Sequence, residues 1–438
     1  METKSLAAEP GAARRDAPAV LTLGFGGAVA MWTLGYVGRL PDLLELDPSV
    51  LGLGFVAILL ATGALAGRWL GRVGPGALAG AVAGAINLLI IASVARGSAL
   101  ALPGSIGAGA LLGALGALAA RRPEARPLPT TSPAAAWTGR FARVAVVATL
   151  LLLAAGGLVT SHDAGLAVPD WPNTFGSNMF LFPLERMTGG IYYEHAHRLF
   201  GALVGLTTVT FAGLVLATDD RRWVKGLALL AVVLVITQGV LGGLRVTGRL
   251  TLSAATEDLS PQLGLALVHG VLGQLFFAGL VVLAAATSVT WREAPPAAPR
   301  PSGETDLDLG AWFVAAVVVQ LVLGALLRHY KIDPTWHVCM AVVVITLGGF
   351  AGVRAWGLYA DLPVLRRLGL ALAHLVALQL LLGIGALVVT TLERPDGARV
   401  AFHAPIATAH QTTGAVILGC AVLLRAWLGR LVAREAAA

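Results

Sequence analysis

Four of the chain's nine histidines stand at the start of apolar runs long enough to cross a bilayer: His197, His269, His337 and His410. Imidazole ligates transition metals and exchanges protons near neutral pH. Ionisable groups at or inside a membrane segment are costly enough to mark function. The first of the four lies in the densest such cluster, Tyr192-Tyr193-Glu194-His195-Ala196-His197-Arg198. Glu194 precedes His197 by one helical turn and shares its face. Arg198 is placed to pair with Glu194 or with a carboxylate of a ligand.

Spacing sorts the four histidines into two pairs. The element Gln-x-x-Leu-Gly occurs at Gln238–Gly242, Gln320–Gly324 and Gln379–Gly383. Gln238 to His269 is 31 residues and Gln379 to His410 is again 31, while His197 to His269 is 72 and His337 to His410 is 73. This is an internal repeat. It implies two copies of a four-helix unit, each with one histidine at the mouth of its second helix and one at the mouth of its fourth. Imidazoles at one depth on neighbouring helices can face each other across a bundle core, where such bundles build cofactor sites. A flat macrocycle with an axial histidine on each side suits that slot, and heme iron takes such ligands. A single histidine at a helix mouth is ordinarily an interfacial or capping residue, but two matched pairs favour ligation. Zinc would need three or four ligands converging on one point, and each unit supplies two. His195 faces away from His197. His374 is expected to pack between helices, and His162, His329 and His403 to lie in loops or interfaces, with proton shuttling as their functional option.

The elements that must hold these groups are membrane helices. The sequence has 438 residues, 57% hydrophobic and only 13% charged, with a mean hydropathy of +0.79. That is about half the charge of an ordinary soluble chain. Apolar runs fall at about 18–38, 50–71, 75–95, 101–120, 142–161, 197–217, 223–244, 264–288, 310–328, 337–358, 365–391 and 405–428, twelve candidate spans. The third and fourth are rich enough in Gly and Ala to form one re-entrant pair instead. The 54 dispersed glycines suit close helix–helix contact in lipid.

Basic residues cluster in alternate loops: Arg14 and Arg15; Arg68 and Arg72; Arg121, Arg122, Arg126, Arg140 and Arg143; Arg221, Arg222 and Lys225; Arg354, Arg366 and Arg367; Arg430 and Arg434. Asp42, Glu45 and Asp47 follow the first run. The positive-inside rule makes the basic face cytoplasmic, puts both termini inside, and sets the four histidines toward the outer face. Membrane orientation thus accounts for the net charge of +7. No basic run carries interleaved aromatics, so nucleic acid is set aside as a partner. Cys339 and Cys420 lie in apolar runs without a Cys-x-x-Cys, which supports neither zinc nor a dithiol.

The expected architecture is an all-α polytopic membrane protein. A polar, disordered tail (1–17) leads into a four-helix N-terminal membrane extension (18–120), and a Pro- and Arg-rich cytoplasmic linker (121–141) follows. Then come the first four-helix unit (142–291), a second linker (292–309) and the second unit (310–430), an eight-helix duplicated core.

Glu-x-x-His-Arg at Glu194–Arg198, with the loop Asp163-Ala164-Gly165-Leu166-Ala167-Val168-Pro169-Asp170-Trp171-Pro172 after Gly-Gly-Leu-Val-Thr at 156–160, resembles the heme A synthase family. The likeness covers about residues 142–430. It implies a substrate heme between His197 and His269, a heme b between His337 and His410, and Glu194 as the essential acid. It also implies a substrate loop with Asp163, Gly165, Pro169, Asp170 and Trp171. The implied reaction takes the porphyrin methyl of heme O through hydroxylation to the formyl of heme A. A bacterial cytoplasmic membrane, surrounding lipid, contact with heme O synthase and cytochrome oxidase assembly factors, and a homo-oligomer complete what the resemblance implies.

Two departures stand out. Many bacterial members carry a cysteine pair in the first outer loop, but 161–196 has no cysteine, so no disulfide or thiol relay operates there. The helices at 18–120 lie outside the family core, as an assembly or stability module, a fused partner or a lipid-facing belt. Only the first unit has an acid beside its ligand; the second reads Asp333-Pro334-Thr335-Trp336-His337. Bis-histidine ligation discourages dioxygen at the iron and favours stepwise electron removal, with Glu194 taking a proton or stabilising positive charge. The competing readings are a non-catalytic di-heme cytochrome exchanging electrons with quinone and, less favoured because the repeats run parallel, a transporter.

Overall fold

The computed structural model describes residues 10–41, 43–90, 100–122, 132–248, 261–391 and 402–433. Asp42, Arg126 and Arg434, three of the charges that orient the helices, lie outside them. The chain is all-α. Its helices are α1 (Pro10–Val37), α2 (Pro48–Leu70), α3 (Val73–Ile90), α4 (Ala101–Ala120), α5 (Pro133–Ser161), α6 (Gly189–Thr218) and α7 (Arg222–Thr247). They continue with α8 (Leu263–Thr287), the short α9 (Val289–Arg292), α10 (Gly303–Tyr330), α11 (Thr335–Leu358), α12 (Pro363–Thr391) and α13 (His403–Leu431).

Among the described residues eleven helices are long and apolar enough to cross a membrane. The chain is a multi-pass membrane protein. The shorter one is α3, whose 18 residues rise about 27 Å against a hydrocarbon core of about 30 Å. It is a separate helix packed along α4.

Three boundaries differ from those read off hydropathy. The stretch expected to be a disordered tail to residue 17 is helical from Pro10, because proline at the first helical position has its φ preset and the following Ala and Arg favour helix. The linker expected at 121–141 ends at Ser132, and α5 opens on Pro133 with Trp137 and Phe141 buried. The linker expected at 292–309 ends before Gly303, where Glu304 and Asp306 suit the positive end of α10. Hydropathy marks where a helix meets lipid, and these helices extend past it.

Helices α5 to α8 pack in sequence, and α5 also touches α8, closing a four-helix bundle; α10 to α13 close a second one in the same order. The bundles meet through α13 against α5 and α8, and α10 against α8. Phe141, Phe200, Leu203 and Phe211 lie in the core of the first, and Phe313, Leu365, Leu372 and Leu424 in that of the second. Helix α1 packs on α5 and α6 and carries α2 and α3 with it. Within the extension, small residues let backbones touch. A Cβ on Gly63 would stand 1.9 Å from the Gly113 carbonyl oxygen, and one on Gly80 would stand 2.0 Å from that of Gly109. Where lipid removes the hydrophobic drive between helices, such packing holds them together.

Each bundle is latched by a buried acid. Asp219, between α6 and α7, accepts from Arg221 at 2.8 Å and Arg292 at 2.5 Å. Burial opposes its charge, but the Arg221 hydrogen bonds and the two guanidinium groups hold its carboxyl below the usual range. In the second bundle Asp306 accepts from Arg354 at 2.6 Å and from the Tyr359 hydroxyl at 2.6 Å. Burial and the bond to Asp306 push that hydroxyl up to about 12.

Candidate functional site

Each of the four histidines lies against a glycine on the preceding helix. His197 on α6 meets Gly156 on α5, His269 on α8 meets Gly242 on α7, His337 on α11 meets Gly324 on α10, and His410 on α13 meets Gly383 on α12. A Cβ on these glycines would stand 3.0, 3.2, 3.0 and 3.1 Å from the ring Cε1 atoms. The glycine of the repeated element is therefore the floor under each imidazole. Gly156 is a fourth copy that the repeat did not show, because the position four residues before it holds Leu152 instead of glutamine.

The glutamines divide the two bundles. The Gln320 amide nitrogen lies 3.2 Å from His337 Nε2, and that of Gln379 lies 3.5 Å from His410 Nε2 while donating to the His410 carbonyl at 3.1 Å. In the first bundle Leu152 has no amide, and Gln238 Nε2 is buried without a hydrogen-bond partner. The second pair thus has a side-chain amide beside each ring and the first has none within hydrogen-bond distance, while all four rings share a backbone carbonyl partner on the preceding helix, from Leu152, Gln238, Gln320 and Gln379.

The side chains present suit a heme. His337 and His410 stand with ring centroids 6.3 Å apart, their planes at 75°. A metal sits about 2 Å from an imidazole nitrogen and the ring centre about 1 Å beyond, so two imidazoles flanking one metal stand about 6 Å apart. Nδ1 of His197, His269, His337 and His410 is buried without a hydrogen-bond partner. The backbone carbonyl of Leu152, Gln238, Gln320 or Gln379 that stands beside each ring is the kind of partner that orients a metal-binding imidazole through its other nitrogen. Among the described residues no three His, Cys, Asp or Glu side chains converge as a metal site.

Glu194 and Arg198 form the best-built part of the first bundle. Arg198 Nη2 donates to Glu194 Oε1 at 2.8 Å, with the two side chains 5% and 9% exposed. Glu194 Oε2 accepts from the Val168 amide at 2.9 Å. Arg198 also donates to the carbonyls of Val168 (2.8 Å), Asp170 (2.5 Å) and Asn173 (3.1 Å). Of the two options open to Arg198, it pairs with Glu194. The loop between α5 and α6 is thereby tied down on the turn that carries His197.

The loop residues singled out from the sequence do different jobs. Asp170 is fully buried, and its carboxylate accepts from the amides of Phe175 and Gly176, both at 2.8 Å. Pro169 is buried beside it. The Trp171 ring covers Gly243 of α7, where a Cβ would stand 2.4 Å from it. The Gly165 carbonyl accepts from Arg245 at 2.9 Å. Asp163 is exposed, at a positive φ of 51°. His195 points away from the pair to Thr174, at 3.0 Å. His162 stacks on Tyr193 with centroids 4.0 Å apart. His403 is buried at the start of α13, and His329 is half-buried. His374 does not pack between helices as expected: it is exposed, its Nδ1 satisfied by the Leu370 carbonyl of its own helix at 2.8 Å.

The N-terminal extension reaches this site. Tyr36 of α1 stacks on Tyr192 of α6, centroids 5.6 Å apart, and the Tyr192 hydroxyl donates to the Tyr36 carbonyl at 2.6 Å. Leu40, in the turn after α1, is buried with Val159, Ala164, Tyr192 and Tyr193. Sequence reasoning missed this contact, the role of the glycines, and Arg245.

Residues 178–332 match the model of a family described as cytochrome oxidase assembly protein. The protein named heme A synthase in Shewanella oneidensis is 32% identical over 121 residues, 25% of this chain and 36% of the relative, so the match spans about a third of that relative's length. The family match includes Glu194, His197, Arg198, Arg245 and His269, and ends before His337.

Proposed function

We propose that this chain, which both matches support as one of the heme A synthase family, oxidises the porphyrin methyl of heme O to the formyl of heme A between His197 and His269. A role in heme A biosynthesis and cytochrome oxidase assembly follows from the family. The observation that carries the division of labour is the unequal treatment of the two histidine pairs. His337 and His410 each have a glutamine amide beside the ring, from Gln320 and Gln379, and no acid one turn before His337, as suits a resident group. His197 and His269 lack such amides within hydrogen-bond distance and lie under a loop pinned by a buried Glu–Arg pair, as suits a group that arrives, reacts and leaves.

His337 and His410 are the residues that would hold heme b, which when bound supplies one-electron transfer. The chain's own groups do the rest. His197 and His269 orient the substrate macrocycle. Each oxygen of Glu194 accepts one hydrogen bond and keeps lone-pair capacity, so the carboxylate can receive a proton from the reacting edge or hold positive charge there. Arg198 fixes the carboxylate, and the burial of the pair strengthens that electrostatic effect. The site faces the outer side of a bacterial cytoplasmic membrane, with both termini inside. There the chain would receive heme O from heme O synthase and pass heme A to oxidase assembly.

The test is to purify the chain from cells supplied with heme O and identify the extracted hemes by chromatography. Heme A together with heme b is expected. His197→Ala and His269→Ala should lose heme O and heme A but keep heme b, and His337→Ala and His410→Ala should lose heme b. Heme b alone in the unaltered chain would make it an electron-carrying cytochrome instead.

A further inference from the structure

We propose that Arg245 binds a carboxylate of the tetrapyrrole held between His197 and His269, a site that rests on the heme reading above. Arg245 lies in the last turn of α7, three residues past Gly242, the floor under His269. Three residues advance a helix by about 4.5 Å, so Arg245 stands one turn beyond the imidazole plane, toward the end of the bundle where the α5–α6 loop closes.

The other cation of the site is spent. Arg198 makes four hydrogen bonds, one of them to Glu194. Among the described residues the Arg245 side chain makes one, to the Gly165 carbonyl, with Glu194, already paired to Arg198, as the nearby anion. None of the ion pairs among the described residues includes it. A guanidinium has five donors in a planar fork that matches a carboxylate, and a cation inside a membrane helix calls for an anionic partner. Gly165 belongs to the same arrangement: a Cβ there would stand 2.1 Å from Arg245 Nη2, so the loop is bare where the guanidinium lies. The second bundle has a related feature. Arg328 stands four residues past Gly324 and donates to the Thr160 carbonyl of α5.

The discriminating probe is ferric protoporphyrin IX against its dimethyl ester, which keeps the ring and iron and removes the negative charges. The full-length chain, prepared from heme-depleted cells, is titrated with each and the bis-histidine absorption recorded. His269→Ala identifies the transition belonging to the first bundle. At that site the unaltered chain should prefer the free acid. Arg245→Leu should cut this preference roughly tenfold or more, in line with one charged hydrogen bond, leaving the ester's affinity unchanged. Arg245→Gln, which can still donate to the Gly165 carbonyl, should behave like Arg245→Leu and so separates carboxylate binding from loop bracing. Uptake at the His337–His410 site reports that each variant is folded. Undiminished preference for the free acid in both Arg245 variants would overturn the assignment while leaving the heme site standing. If neither His197→Ala nor His269→Ala changed the titration, the heme reading and this proposal would fall together.

Discussion

Glu194 and Arg198 neutralise each other in a place where neither could stand alone. Removing one partner of a buried pair costs about 3–5 kcal/mol, because the other charge is left uncompensated. Glu194→Gln should therefore lower the thermal unfolding temperature as well as abolish heme A output. Adding Arg198→Met removes the stranded cation and should recover much of the stability without recovering output. Full heme A output from Glu194→Gln at normal heme content would remove the acid from the chemistry. Asp219 works at the other end of the bundle. Its carboxyl is held below the usual range, so its ion pairs contribute stability above the unfolded value of about 3.9 and lose it as pH falls through the lower folded value. Asp219→Asn should be less stable than the parent at pH 7, and the gap should close in acid. Melting curves across that range give the answer; a gap that widened toward low pH would be the wrong sign.

At the scale of helices, glycine has two separate uses here. Gly63 meets the backbone of Gly113, which cannot step aside, so Gly63→Ala should part α2 from α4 and cost about 1–3 kcal/mol with the heme spectrum unchanged. Gly383 meets the His410 ring, so Gly383→Val should displace that ring and deplete heme b while leaving heme A and heme O bound. The two variants, compared by thermal unfolding and heme extraction, should fail in opposite readouts.

The sequence carried the apolar centres of the helices, since a span must be apolar in lipid. It did not carry their ends. Pro10, Pro133 and Gly303 open helices through backbone and terminal-charge preferences that a hydropathy window averages away. The four histidines that face glycines stood out because duplication repeated them at fixed distances from glutamine and glycine. Gly156 was hidden by Leu152. Arg245 was hidden because its partner loop lies 80 residues away in the chain.

Taken whole, the molecule is two bundles with a third, smaller body fastened to the first. The extension is no detached belt: α1 packs on α5 and α6, and Tyr36 and Leu40 touch the turn that carries Glu194 and His197. Tyr192→Phe removes one hydrogen bond and keeps the stack, so it should cost about 0.5–1.5 kcal/mol. Tyr36→Ala removes the stack as well and should further speed amide exchange in the 163–176 loop, read by mass spectrometry. Unchanged exchange there would reduce the extension to a passive neighbour.

Each of the four histidines His197, His269, His337 and His410 rests on a glycine of the helix just before it in the chain, so each contact is complete within one helical hairpin: α5–α6, α7–α8, α10–α11 or α12–α13. A hairpin can thus set its own imidazole as it enters the membrane, before its partner hairpin has been synthesised. The space between paired imidazoles is different, because it exists only where two hairpins meet. A macrocycle bound there joins segments that arrived separately, and by mass action it stabilises only the assembled bundle. Were heme to bind there, its supply would add to the stability of the assembled bundles without being needed for their helices to pack, and melting temperature should rise with heme added to the chain from heme-depleted cells.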